Sequence, residues 1–497
     1  MKSLSKRKSL IFSTLCACSL LFSCSKETPE IQPDNAEKTK TEDTKPIPGS
    51  TTPTLSDTPD YKAKNMMDSL FHVMEEAALG WKRTVNVEKF NIRAHKTGSG
   101  EDYQSLFYKF VESHPYLFHL HSSWIRIQYN PQTDLLNQFE FSYRNSDIDK
   151  SSYVRNYIQA VETAYKSTIE NGMKPIDVFY SIHNYVGEKT FYQENSQAHD
   201  AYGSLVTGKA VCEGYSRALF RLLNPLDIQV ICCTSARHMW NRVKLDNSWY
   251  NCDVTWDDNE SKDRAQNRAR FMLTSDSKFY SMDNHDRISH EGDTLTVNNR
   301  KFEGSNYFFR NNTYNSNAHF KKGYWYYLDL NKMSINRDAL DGKGPQQLHQ
   351  CKQSYYTHSL YKKVEFGENK IFFIESSDNE FMISSIDYDG KNYKVEKKVT
   401  RNELMYDKSI NLEPGKKSDR YIDRHVLLGE IALCKYVMMF YNNGKYYKFS
   451  NTSECGKIRK LIYNAEQACK NKTTAQYQYF YNELTKCRKS YPSNMPM

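Results

Sequence analysis

Apolar positions along this chain follow two rhythms. From Met66 to Val186 they mostly recur every three or four residues. Met66–Ala78 and Tyr103–Glu112 read as short amphipathic helices, and Tyr153–Glu170 and Ile176–Val186 as further ones, the last with Val178, Ile182 and Val186 on one face. Two alternating runs, WIRIQYN (Trp124–Asn130) and FEFSYRN (Phe139–Asn145), interrupt them and predict a small α+β unit. In AVCEGYSRALFRLL (Ala210–Leu223) helical spacing returns through Tyr215, Ala218, Leu219, Leu222 and Leu223, and Asn224-Pro225 ends it. IQVICCTS then reads as a buried strand. Beyond about Gly304 a period of two dominates, in GYWYYLDLNK, NKIFFIESSDNEFMISSIDYDGKNYKV and YVMMFYNNGKYYKFS, with Asp389-Gly390 and Asn443-Gly444 as hairpin turns. This predicts a β-meander, with repeats too irregular in period for a propeller. Two more helices are expected near Glu454–Cys469 and Thr474–Cys487, and a turn at Asn471–Thr473 would set Cys455 and Cys487 at similar distances from it, as candidates for a disulfide.

A chain of 497 residues is too long for one ordinary core. With 37 Tyr and 25 Phe, aromatic side chains supply much of what can be buried, which reinforces the expectation of β structure. The first 23 residues read as a secretory leader, a basic start followed by an apolar run from Leu10 to Phe22 that is shorter than the ~20 residues a membrane span needs. Leu21-Phe22-Ser23-Cys24 is similar to a bacterial lipobox, which makes Cys24 the candidate lipidation site. Ser25–Asp60 holds six of the 14 prolines and few bulky apolar residues, so it is expected to be a disordered tether. The net charge of +9 includes Lys2, Lys6, Arg7 and Lys8 of the leader, and the modest remainder argues against nucleic acid as a partner. Of 12 cysteines, Cys16, Cys18 and Cys24 precede the body; the other nine are too sparse for a disulfide-built scaffold.

The chemistry concentrates between Ala210 and Asp258. Cys212 falls in the first turn of its predicted helix, where unpaired backbone N–H groups favour a thiolate, and Gly208 and Gly214 allow the backbone to approach closely. In HMWNRVKLDNSWYNCDVTWDD, Asp246-Asn247 suits a two-residue turn that would put Leu245 opposite Ser248. One face of that hairpin carries Met239, Val243, Leu245, Tyr250, Cys252 and Val254 and should be core. The other carries His238, Trp240, Arg242, Lys244, Trp249, Asn251, Asp253 and Thr255 and is too polar to be buried whole. His238 then lies diagonal to Asp253, within the ~7–8 Å that side chains bridge. Taken singly, Cys212 reads as a structural thiol, His238 as a cap on an aromatic cluster and Asp253 as a partner of Arg242. Together they are the parts of nucleophilic thiol catalysis. Cys232, Cys233, His238 and Cys252 are zinc-ligand types, but the register turns Cys252 to the core and His238 away, so no metal is expected.

AYGSLVTGKAVCEGYSRALFRLL and HMWNRVKLDNSWYNCDVTWDD resemble the cysteine, histidine and aspartate segments of the transglutaminase-like superfamily, in its bacterial extracytoplasmic branch. The resemblance spans about Tyr153–Asp286 and extends to the flanks Trp240-Asn241, Trp249-Tyr250 and Thr255-Trp256; Met239 and Asn247 stand where alanine and glycine are common. It implies an α+β fold with a papain-like core, a cysteine at a helix N-terminus packed on an antiparallel sheet, followed by a β-rich region. Cys212 would be nucleophile, His238 general base and acid and Asp253 the orienting acid, with Tyr192 and Trp240 as candidate cleft or oxyanion residues. The expected division is leader 1–23, tether 24–60, α+β region 61–148, catalytic core 149–300, β-rich region 301–452 and helical segment 453–497. The expected activity is cysteine-dependent hydrolysis or transamidation of peptide or amide bonds; the alternative is a peptide- or glycan-binding surface protein. No cofactor is implied. The expected partners are a peptide or protein substrate, of cell-wall or host origin, and a membrane reached through Cys24, which places the protein at the cell envelope, on the outer membrane or cell surface.

Overall fold

The computed structural model describes residues 66–95, 102–121, 125–144, 150–258, 269–283, 285–287, 295–310, 318–329, 331–352, 364–377, 380–400, 422–440 and 453–490. The leader, Cys24, the tether and the Asn443-Gly444 turn lie outside these residues, as does the side chain of Cys455. No helix among the described residues is long and apolar enough to cross a membrane.

The fold is α+β. Helices α1 (Met66–Leu79) and α2 (Tyr103–Ser113) accompany a three-stranded antiparallel sheet of β1 (Thr84–Asn86), β2 (Arg126–Asn130) and β3 (Leu135–Glu140), with β3 in the middle. Asp102 caps α2 by accepting the Ser105 N–H at 2.8 Å. Strand β3 starts four residues before the FEFSYRN run and ends inside it.

Helices α3 (Lys150–Thr168), α4 (Pro175–Lys189) and α5 (Cys212–Leu223) precede a second antiparallel sheet of β6 (Val230–Thr234), β7 (Met239–Leu245) and β8 (Ser248–Cys252). Between α4 and α5 the two-residue strands β4 (Phe191–Tyr192) and β5 (Lys209–Ala210) pair in parallel. Helix α5 lies on this sheet and is tied to β7 by Ser216, whose Oγ donates to the Met239 carbonyl at 3.0 Å and whose own carbonyl accepts from Asn241 Nδ2 at 3.1 Å. The β7–β8 register is the expected one, with Leu245 opposite Ser248 and Val243 opposite Tyr250, and Asp246 and Asn247 both take the positive φ of the tight turn, 49° and 60°.

The polar face of that hairpin is not buried whole, as expected: Trp240, Arg242, Asn251 and Asp253 are buried, while His238, Lys244, Trp249 and Thr255 keep partial exposure. Arg242 and Asn251 are both covered by the segment that follows. Arg242 donates to Asn251 Oδ1 (3.1 Å), the Leu295 carbonyl (2.8 Å) and Asp276 Oδ1 (3.2 Å), while Asn251 donates to Asp276 Oδ1 at 2.8 Å. Polar groups satisfied in this way can be buried at little cost. Arg242 is therefore paired with Asp276 rather than with Asp253.

Downstream, two four-stranded antiparallel sheets follow. The first has the order Gln346–Gln350, Ser334–Asp338, Tyr324–Asp329, His319–Lys321, and the second Val364–Phe366, Lys370–Ser377, Glu380–Asp387, Lys394–Val399. The run Tyr436–Phe440, expected as a strand, instead ends a helix, α8 (Arg424–Phe440), which joins a helical pair, α9 (Ser453–Lys470) and α10 (Tyr477–Ser490). Its apolar residues Leu427, Ile431, Cys434 and the aromatic Tyr436 are buried at helical spacing, and Glu430 receives Arg488 of α10 at 2.6 and 3.1 Å. Local strand propensity was outweighed by this packing. The short α6 (Val254–Asp257) and α7 (Asp276–Phe279) complete the elements around the site.

Candidate active site

Cys212 is the first residue of α5, following Val211 in extended backbone. The chain can start a helix here because the neighbouring backbone passes unusually close: a Cβ at Gly214 would lie 2.3 Å from the Ala198 carbonyl oxygen and 2.6 Å from Ala210 Cβ. Gly208, at φ +69°, makes the turn into β5. The first turn of α5 is held by Glu213, whose carboxylate meets Arg217 (2.8 Å), His199 Nδ1 (3.0 Å) and Arg144 (3.3 Å). Burial would raise the Glu213 pKa, but Arg217, His199 and Arg144 hold it well below the usual carboxylate range.

His238 sits just before β7 in a tight turn. Its N–H donates to Ser235 Oγ at 3.0 Å and its carbonyl accepts the Ser235 N–H at 2.8 Å. Nε2 is 2.5 Å from Asp253 Oδ2, and Cys212 lies close enough to the ring to act on its protonation. Burial pulls the imidazolium form down, yet the bond to Asp253 and the charges of Asp253 and Cys212 hold the His238 pKa up at about 10. Asp253 is fully buried and is not part of a strand: it caps α6, accepting the Trp256 N–H on Oδ1 at 3.1 Å. Burial would raise its pKa, but hydrogen bonds from His238 and His285 hold it below the ordinary value. Because α6 begins at Val254, Thr255 is helical and does not stand opposite His238 as the hairpin register suggested.

His285 is the member that pattern reading missed. It is buried, and its Nε2 lies 2.8 Å from the same Asp253 Oδ2. It belongs to no periodic segment, so the only sequence signal was a histidine close after the aromatic run around Phe279 and Tyr280.

Tyr192 is half-exposed on β4, two residues up the β4–β5 pairing from Cys212, with its ring 6.5 Å from that of Tyr215. Trp240 does not line an open cleft. It is fully buried, nearly parallel to the His238 ring at 6.0 Å, so it backs the imidazole from inside.

The donor atoms of His238, Asp253 and His285 converge within 4.8 Å, and so do those of His349, Cys351 and Glu375 in the β-rich region. In the first group the separations of 2.5 and 2.8 Å are hydrogen-bond distances, shorter than two ligands of one ion at ~2.0–2.1 Å normally keep. In the second, Glu375 already accepts from Ser384 (2.7 Å), Tyr393 and the Lys352 N–H (3.0 Å), and burial pushes the Cys351 thiol up to about 12. Cys232, Cys233, His238 and Cys252 form no such convergent group among the described residues.

The family model of the transglutaminase-like superfamily matches residues 162–254. No curated protein matches the chain. Among solved structures, the crystal structure of a TGase is similar at 14% identity over 33% of this chain and 50% of its own, with a TM-score of 0.19, so the chain spans half the length of that structure. Residues 162–254, the stretch that carries Cys212, His238 and Asp253, therefore form a transglutaminase-like domain, a kind of domain whose chemistry is in general cysteine-based acyl transfer.

Proposed function

We propose that the protein performs cysteine-dependent acyl chemistry on peptide or amide bonds, with Cys212, His238 and Asp253 as its catalytic triad. The observation that carries this reading is the placement of His238, its Nε2 2.5 Å from the buried Asp253 Oδ2 and its ring near enough to Cys212, at the head of α5, for that thiol to raise its pKa. Cys212 Sγ bonds to the substrate carbonyl carbon after its proton passes to His238. His238 then gives that proton to the departing amine nitrogen as the C–N bond breaks, leaving a thioester. Attack by water, with His238 as base, releases an acid; attack by an amine gives transamidation. Water is the default acceptor, so hydrolysis is the favoured outcome. Phe191 and Tyr192, both half-exposed on β4, which pairs with Lys209–Ala210 just before Cys212 in the chain, offer apolar surface to a bound peptide.

Turnover of a peptide library by the wild type and its loss in Cys212→Ala is the expected result, together with alkylation of native Cys212 by iodoacetamide while buried Cys252 stays unlabelled. Equal turnover by both proteins, or a Cys212 that reacts only after denaturant is added, would sink the reading.

The lipobox-like Leu21–Cys24 and the proline-rich tether support a body held at the cell envelope by an acylated Cys24. Cells fed a lipid precursor should label the protein, and Cys24→Ala should remove the label; labelling that survives this change rejects the anchor.

A further inference from the structure

His285 has both ring nitrogens against oxygens. Nδ1 lies 2.9 Å from the Asp286 carbonyl and Nε2 lies 2.8 Å from Asp253 Oδ2. A carbonyl can only accept, and so can an ionised carboxylate. A neutral imidazole has one N–H and would turn a lone pair on one of these oxygens, whereas an imidazolium supplies both donors. Asp253 has no hydrogen to give in return, because its Oδ1 accepts from Trp256 N–H and its Oδ2 faces Nε2 of His238.

The surroundings suit a cation. The ring centroids of Phe279, Trp256, Trp240 and Phe271 stand 4.1, 4.7, 5.0 and 5.5 Å from that of His285, and aromatic rings attract a desolvated cation. The titratable side chains facing it are Asp253, His238 and Tyr280. The Asp286 carboxylate is turned away, to Ser235 Oγ at 2.8 Å and Arg237 at 3.5 Å. With Cys212 as thiolate and His238 protonated, two negative and two positive charges share the site, and the group is neutral as a whole.

We propose that His285 is a positioning residue: a doubly protonated imidazole that clamps Asp253 through Oδ2 and keeps both of its protons while a single proton moves between Cys212 and His238. The inference rests on the reading of Cys212 and His238 as thiol and base. Its consequence is that Asp253 stays ionised and fixed in place through acylation and release, since His285 adds to the His238 bond a second, charged hydrogen bond on Oδ2 from a group that takes no part in the proton transfer. A purely structural His285 would only pin residues 285–287 against the core, and would not need to be charged.

Long-range ¹H–¹⁵N spectra of the full-length protein labelled with ¹⁵N-histidine, assigned by comparison with His285→Gln, should show both His285 nitrogens protonated at neutral pH. Two variants test the consequence. His285→Phe fills the aromatic box without a donor, and His285→Gln returns one donor without charge. Iodoacetamide alkylation of native Cys212 should slow by about 10- to 100-fold in the Phe variant, the usual loss when a supporting hydrogen-bond partner is removed, and should recover in part in the Gln variant. A neutral His285 tautomer, or wild-type alkylation rates in both variants, overturns the proposal. If neither variant folds, the wild-type spectra decide it. A neutral His285 beside a reactive Cys212 would overturn this inference alone, whereas an inert native Cys212 would overturn the triad reading and this inference with it.

Discussion

Asp253 serves two elements with its two oxygens. Oδ1 caps α6 through Trp256 N–H, and Oδ2 meets Nε2 of both His238 and His285. Asp253→Asn keeps an oxygen for the cap and puts an NH₂ group against two ring nitrogens, so the helix should survive while the imidazoles lose their acceptor. The His238 pKa, held at about 10 mainly against burial, should then fall, because the opposing charge is gone and burial remains. The sign extends to stability: a raised histidine pKa stabilises the fold fully below the ordinary value near 6.5, and that contribution is lost as pH rises toward 10. In Asp253→Asn both this contribution and its alkaline loss should shrink, so the melting temperature should fall near neutrality with the fold retained, and turnover should drop on the order of 10⁴-fold. Titration of His238 by ¹⁵N NMR in both proteins checks it; an unchanged midpoint would show that Asp253 does not set the protonation of His238. At this scale the sequence located the His238–Asp253 neighbourhood from turn chemistry and the alternation of strand faces. It did not locate His285, because that contact depends on the return of a non-periodic segment 32 residues later.

The elements were legible where local chemistry and packing agree. Helix α5 runs over the predicted span, and the β7–β8 turn has the left-handed conformations that Asp246 and Asn247 tolerate. They were misread where distant partners decide: Tyr436–Phe440 is rich in strand formers yet completes α8, and Arg242, readable singly as a partner of Asp253, is held instead by Asp276 and Leu295 from far along the chain. The start of α5 shows the same dependence, since Glu213 gathers Arg144 from the α+β unit, His199 from the preceding loop and Arg217 from one turn on. Removing Glu213 takes away the anion these three cations share, although Arg144 keeps Asp200 at 3.7 Å and His199 keeps Glu194 at 3.2 Å. Glu213→Ala should therefore destabilise the protein by about 1–3 kcal/mol in urea unfolding at neutral pH. Because the Glu213 pKa is depressed, its contribution is present above the unfolded value near 4.5 and lost as pH falls below it, so the two proteins should converge in stability on acidification. Equal stability at neutral pH would mean that the charges at the head of α5 are solvated after all.

At the scale of the whole molecule, one apolar core runs through residues of the α+β unit, the transglutaminase-like segment, the first β-rich sheet and the C-terminal helices, from Leu70 through Leu219 and Trp325 to Leu484. The second β-rich sheet packs on the first through a separate cluster around Ile335, Phe373 and Ile386. Trp325 ties the first β-rich sheet to α4 within this shared core. Its Nε1 donates to Asp177 Oδ1 of α4 at 2.8 Å, and its ring stands edge-on to Tyr180 of the same helix at 4.9 Å. Burial raises the Asp177 pKa to about 6, so this carboxyl depends on the few donors it has, Trp325 Nε1 and the Lys174 N–H that completes the start of α4. Trp325→Ala should therefore do more than loosen a β-sheet. It opens a cavity against α4 and strips a donor from a buried acid, and should cost about 3–5 kcal/mol. Since α4 packs on α5, the loss should reach the head of α5 where Cys212 sits. Urea unfolding followed in parallel by far-UV circular dichroism and by exposure of buried Cys252 to a thiol reagent should give one coincident transition in the wild type, displaced as a unit in Trp325→Ala. If Cys252 became exposed at an unchanged urea concentration while the circular dichroism shifted, the β-rich region would be an independent module, and the continuity of the core would carry no energetic coupling to the site.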